Sequence, residues 1–246
     1  MTPPRKPQVR LRYSKLGKVR FTSHRDMARI WERAVRKVQL PIAYSEGFSP
    51  RAKLSFGLAL PTVFESAAEF VDLTFDTPVP AEGLAELLTP VMPDGIVVSE
   101  VVALEGKVAS LQECVESTEW QLFIDAELAD LSAWAERILA ADELMLTRER
   151  KGKKRVDDVR PAIHEVTASP SSDESVLAAT VITAHLAAKP RALRPLELLD
   201  LDNRPGTFVL GRRINQYIAP IGARRDPLAV GAAEAPHSSN PLSCVS

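Results

Sequence analysis

Between His24 and Lys53 the sequence gathers most of the side chains able to do chemistry. Arg25, Arg29, Arg33 and Arg36 recur every three or four positions, a spacing that places them along one side of a helix. Only Asp26 and Glu32 interrupt the positive sign. Solvated helix faces usually mix signs to gain i,i+4 pairs, so this purity points to phosphate contact rather than to a merely solvated stripe. Tyr44-Ser-Glu-Gly-Phe-Ser-Pro50 follows, with Arg51 and Lys53 just beyond. Its hydroxyls and cations suit phosphates, and the rings of Tyr44 and Phe48 suit exposed bases. The plain alternative is a Pro/Gly-rich connection whose aromatics plug the core, and both readings are compatible with Phe48 inward and Arg51 outward. His24 offers an imidazole as acceptor, base or local packing group. A further basic cluster, Arg148, Arg150, Lys151, Lys153, Lys154 and Arg155, extends the track. The residues expected to contact nucleic acid are Arg25, Arg29, Arg33, Arg36, Tyr44, Ser45, Phe48, Arg51, Lys53, Lys153, Lys154 and Arg155, with His24 the lone catalytic candidate.

The rest of the composition narrows the chemistry. Two cysteines 130 positions apart, Cys114 and Cys244, make neither a disulfide framework nor a cysteine-rich metal or iron–sulfur site. Four scattered histidines make no recognisable metal set, and no metal or other cofactor is expected. Phosphate-cradling glycine loops, dinucleotide fingerprints, HExxH and GxSxG are all missing from the sequence. Met1–Pro7 is followed by no apolar core of a secretory kind, and no run reaches membrane-spanning length, so a cytoplasmic protein away from membranes is expected. The net charge of −1 conceals segregation. Residues 1–60 carry 14 Lys+Arg against 3 Asp+Glu, residues 61–146 carry 2 against 18, and residues 147–246 carry 15 against 11. Such asymmetry suits a polyanion or an acidic partner; alternatively the basic and acidic segments neutralise each other inside the fold.

These groups need a frame. Val9, Leu11 and Tyr13 alternate with Arg10 and Arg12, the two-residue period of a strand. Lys15–Lys18 reads as a turn and Val19–Phe21 as resumed extended chain. Ser23 caps a helix whose apolar stripe is Met27, Ile30, Trp31, Ala34 and Val38, closed by Pro41. Strands are expected at 53–60 and 69–75, a helix at 84–91 and a strand at 96–103. That order is the split-βαβ, ferredoxin-like arrangement. A second, more decorated α+β lobe begins with a strand at 120–125 and a helix at 131–140. Extended segments follow at 144–147 and 155–166 around a Lys-rich turn, then a β-prone run at 176–184 and a short helix at 195–199. The expectation is an α+β chain of two lobes with separate sheets, 8–105 and 114–203, an extension over 204–225 and a disordered tail over 226–246.

At the same residues the sequence resembles a known family. Val19-Arg-Phe-Thr-Ser-His-Arg-Asp26, Tyr44-Ser-Glu-Gly-Phe-Ser-Pro50, Leu54-Ser-Phe56, Glu69–Asp72 and Arg150-Lys-Gly-Lys-Lys-Arg-Val-Asp-Asp-Val-Arg-Pro161 are similar to bacterial radical-SAM-associated proteins of unknown function. The resemblance spans most of residues 8–200 and implies a cytosolic partner of a radical-SAM enzyme serving RNA modification. It carries no catalytic residues over. The chain lacks the C-x-x-x-C-x-x-C motif of such an enzyme, and Thr62-Val-Phe-Glu65 departs from the family's glycine-containing turn.

Three functions follow as expectations. The first is a non-catalytic RNA-binding accessory protein, acting on transfer RNA or a similar RNA beside a radical-SAM enzyme. The second is a metal-independent endoribonuclease like the two-lobed Cas6-type proteins, with His24 as base and Tyr44 or Lys53 stabilising charge. The third is an adaptor for an acidic protein.

Overall fold

The alternation of Val9, Leu11 and Tyr13 forms β1 (Gln8–Lys15), with these three side chains buried. In the computed structural model, which describes residues 5–106, 108–150, 152–219 and 224–229, the chain then makes a 3-10 turn, Gly17–Phe21, in place of the extended segment expected there. Gly17 at φ +66 lets the backbone turn at that point. Helix α1 (His24–Lys37) starts at Ser23, whose hydroxyl accepts from the Asp26 N–H at 3.2 Å. It ends as Gln39 enters the left-handed region at φ 54, before Pro41. Strands β2 (Leu54–Phe56) and β3 (Glu65–Thr74), helix α2 (Leu84–Leu88) and strand β4 (Val98–Ala103) complete the first unit. Its strands run in the order β4-β1-β3-β2, every neighbour antiparallel. That is the expected ferredoxin-like order.

A short helix α3 (Leu111–Cys114) leads into β5 (Ser117–Asp125) and α4 (Leu128–Ala140). A hairpin of β6 (Met145–Arg150) and β7 (Lys153–Asp158) forms a small sheet of its own. Then come β8 (Ile163–Pro170), β9 (Thr180–Ala187), α5 (Pro195–Leu199) and β10 (Thr207–Tyr217). With the hairpin set aside, the order β10-β5-β9-β8 repeats that of the first unit. The chain thus folds the same path twice, without a repeated sequence motif.

Two expectations are corrected. The stretch 204–225 is no mere extension, because β10 is an eleven-residue strand at the heart of the structure. Nor do the halves own separate sheets. The Glu65 end of β3 projects beyond β2, and β10 pairs with that open edge in parallel, Arg212 opposite Glu65 and Arg213 opposite Ser66. An unpaired edge would leave backbone groups without partners, so one eight-stranded sheet results. Two hydrophobic cores nonetheless persist. One joins Leu11, Trp31, Val71, Leu73 and Phe75 under α1, and the other joins Trp120, Leu122, Trp134, Ile138 and Ile182 under α4. Phe64 belongs to the second core and seats its ring on Gly211, where a Cβ would come within 2.1 Å of Phe64 Cε1.

Part of the expected tail is also ordered. Pro227 accepts from Arg10 at 3.0 Å, Asp226 lies 3.3 Å from Arg12, and Leu228 packs with Ala68, Phe70 and Leu111. Residues 230–246 lie outside the described residues. No helix of the described residues is long and apolar enough to cross a membrane.

Candidate nucleic-acid interface

Helix α1 is fixed by one buried side, Met27, Ile30, Trp31, Ala34 and Val35. Trp31 is fully buried and meets the Tyr13 ring edge-on at 5.1 Å. With that side pinned, Arg25, Arg29, Glu32 and Arg36 fall in one row at i, i+4, i+7 and i+11, the arginines exposed and Glu32 half-buried. At its start, Asp26 accepts from the Ser23 hydroxyl at 2.7 Å. That bond, helped by Arg29 and Arg25, holds the Asp26 carboxyl below its ordinary value.

The loop opposite is held by its backbone. The Ala43 N–H donates to Thr74, the Lys53 N–H to Ala43 and the Ser45 N–H to Arg51, all at 2.8–2.9 Å. Ser45 Oγ accepts from the Arg51 N–H at 3.0 Å, so the Ser45 hydroxyl serves the loop itself. Tyr44 bridges to Ala52. At the tip, Gly47 takes φ +118 and Phe48 stands fully exposed. The Phe48 ring is therefore free to meet a ligand instead of plugging the core.

Between helix and loop lies a cleft of about 430 Å³ lined by Arg25, Arg29, Glu32, Arg36, Tyr44 and Arg51. Four cations thus face one space. Arg29 has Asp26 at 3.4 Å, while Arg25, Arg36 and Arg51 have no carboxylate within 4 Å among the described residues. Several arginines elsewhere are paired: Arg148 with Glu197 at 2.7 Å, Arg212 with Glu65 at 2.8 Å and Asp173 at 2.7 Å, and Arg213 with Glu69 at 2.5 Å. Three guanidiniums without an acidic partner around one space could hold an anion, and the flat fork of arginine suits phosphate.

Not every expected residue joins this cleft. Arg33 is exposed on α1 but lies off the row, where Glu32 takes the place expected for it. Lys53 is exposed at the loop's base. Lys153, Lys154 and Arg155 are exposed on β7, and none lines the cleft. Arg155 pairs with Asp157 at 2.9 Å, and Asp157 also holds Arg191. Lys151 lies outside the described residues.

His24 belongs to a neighbouring recess rather than to the cleft. Its ring meets the edge of Phe56 at 5.2 Å, and Tyr13, Lys15 and Glu69 line the same recess, which holds only about 20 Å³. Lys15 is 3% exposed and donates to the Thr22 carbonyl at 2.9 Å. Burial lowers the Lys15 pKa, and burial followed by Glu69 raises that of Tyr13. Reading Lys15 as a turn residue missed this placement. The signal was present: Lys15 continues the two-residue phase of Val9, Leu11 and Tyr13, which points inward. Arg213 closes the recess from β10, donating to Glu69 at 2.5 Å and to the Leu58 carbonyl at 2.8 Å beneath the Trp120 ring.

One further polar pair was invisible in the sequence. His185 Nε2 lies 2.7 Å from Ser117 Oγ, and Tyr217 donates to Glu119 at 2.6 Å beside them. Ser117 and His185 are 1% and 2% exposed, so this hydroxyl–imidazole contact is closed to a substrate. Among the described residues no three His, Cys, Asp or Glu converge to hold a metal ion.

No curated protein matches the sequence. Residues 8–195, which contain α1, the loop and the hairpin, match the model of a family described as uncharacterized protein conserved in bacteria (DUF2344), and the chain belongs to that family.

Proposed function

We propose that the protein is a non-catalytic RNA-binding accessory factor that holds a phosphate backbone in the cleft between α1 and the Tyr44–Lys53 loop. The observation that carries this reading is the set of Arg25, Arg36 and Arg51 without acidic partners around one space of about 430 Å³. Phe48, fully exposed at the loop tip, adds a face for stacking a base. The resemblance to radical-SAM-associated proteins supports a place beside such an enzyme in RNA (transfer RNA) modification, the enzyme supplying the chemistry and this chain the grip on RNA.

His24 beside the buried Lys15 favours, more weakly, a metal-independent endoribonuclease of Cas6-like kind. The recess there has room for little more than a water molecule, which counts against a reacting phosphodiester. One experiment separates the readings. The purified chain is titrated into labelled single-stranded RNA at stepped salt, and the RNA is then run on a denaturing gel. Salt-dependent binding with intact RNA is expected. Cleavage abolished by His24→Ala would favour the ribonuclease, and no binding even at low salt would favour an adaptor for an acidic protein.

A further inference from the structure

Within the arginine row, Glu32 stands out. It lines the cleft three residues after Arg29 and four before Arg36. Glutamate four residues ahead of a cation is the favourable order for a helical ion pair, yet no cation lies within 4 Å of Glu32 among the described residues. A carboxylate in a phosphate cleft repels the ligand's charge unless the ligand brings a hydrogen-bond donor, because an ionised carboxylate only accepts. Phosphate oxygens are acceptors as well. On a nucleic-acid backbone the donor is the ribose 2′-hydroxyl, a group DNA lacks.

The order along the helix fits that donor. Arg29 and Arg36 are separated by about 10.5 Å of helical rise, with Glu32 between them. A strand laid along α1 presents phosphate, ribose and phosphate in the same succession as cation, carboxylate and cation. Resting on the RNA-binding reading above, we propose that Glu32 accepts a hydrogen bond from a 2′-hydroxyl and makes the cleft selective for RNA over DNA. A buried base-reading pocket is not needed, since the sugar alone carries the distinction.

The test uses three single strands of one sequence, RNA, DNA and 2′-O-methyl RNA, titrated by fluorescence anisotropy against the full chain and against Glu32→Ala and Glu32→Gln. Circular dichroism and thermal melting check that the variants fold. A hydrogen bond to a charged group supports an RNA preference of about tenfold in the parent, and 2′-O-methyl RNA should bind as weakly as DNA. Glu32→Ala should tighten DNA binding by removing the like charge, and bring the RNA-to-DNA ratio close to one. Glu32→Gln keeps a carbonyl acceptor and should retain part of the ratio. RNA binding with a ratio that Glu32→Ala leaves unchanged overturns the role of Glu32 and leaves the cleft standing. Failure of the parent to bind any of the three strands at low salt overturns the cleft and this inference together.

Discussion

The four arginines of the cleft permit a numerical test. Each phosphate neutralised on a single strand contributes about 0.7 to the slope of log affinity against log salt. Arg25, Arg29, Arg36 and Arg51 together then give a slope of about 2.8, or roughly a fiftyfold loss of affinity between 50 and 200 mM salt. Replacing Arg36 and Arg51 with Gln removes one cation from each wall and halves the slope to about 1.4, leaving roughly a sevenfold loss over the same range. Both side chains are exposed and bond no other residue among the described residues, so stability should change by less than about 0.5 kcal/mol. Arg33 supplies the control. It shares the helix, exposure and charge of the others but lies outside the cleft, so Arg33→Gln should leave most of the slope intact. Fluorescence anisotropy with a short single-stranded RNA over four salt concentrations measures all three proteins. The reasoning fails if the double variant keeps the parent's slope, or if Arg33→Gln lowers it as far.

Two further predictions concern the frame that holds the cleft. Arg213 and Glu69 form a buried pair joining β10 to β3, so Arg213→Ala should cost about 3–5 kcal/mol by stranding the carboxylate. Urea unfolding measures this, and a loss below about 1 kcal/mol would show the pair to be dispensable. His185 and His164 have pKa values lowered from 6.5, burial being the main cause in each. Below that value the unfolded chain binds more protons than the folded one, so stability should be level above about pH 6.5 and fall as the pH drops through it. Asp158 and Asp173 are depressed below 3.8 by hydrogen bonds, so their loss belongs to more acidic conditions. A melting temperature unchanged from pH 7.5 to 5.5 would contradict the histidine assignment.

The periodic elements were legible and the joints were not. Helix α1 was readable because its apolar stripe and the cap at Ser23 agree, and the split-βαβ order followed from strands whose alternation is regular. Strand β10 was not, because Thr207-Phe-Val-Leu-Gly-Arg-Arg-Ile-Asn-Gln-Tyr217 mixes signals. Its register slips between Phe208 and Leu210 and again between Arg213 and Asn215, which breaks the two-residue period. Its most buried cation, Arg213, looks like surface until Glu69 is beside it. In the candidate site, arginines of the expected stripe and loop do meet at one cleft, but Arg33 does not line it. Counting arginines alone put Arg33 in the row, whereas successive steps of 100° from Arg25 favour Glu32. The Ser117–His185 contact joins residues 68 positions apart, which no local pattern reveals.

The charge segregation bears on the choice between a ligand site and a neutralised interior. Had the basic first segment existed only to balance the acidic second one, its cations would end beside the acids of residues 61–146. On and around β1 several cations do this. Arg10 meets Asp72 at 2.7 Å, Arg20 meets Glu65 at 3.6 Å, Arg12 meets Glu100 at 3.7 Å and Lys6 meets Asp76 at 2.7 Å. On α1 and its facing loop no such pair with residues 61–146 occurs among the described residues. Arg25, Arg33, Arg36, Lys37, Arg51 and Lys53 have no acidic neighbour within 4 Å among the described residues, although 61–146 carries 18 acids. Like charges left together on one helix and its facing loop destabilise the free protein. Under the proposed function, release of counterions from a bound polyanion would offset that cost.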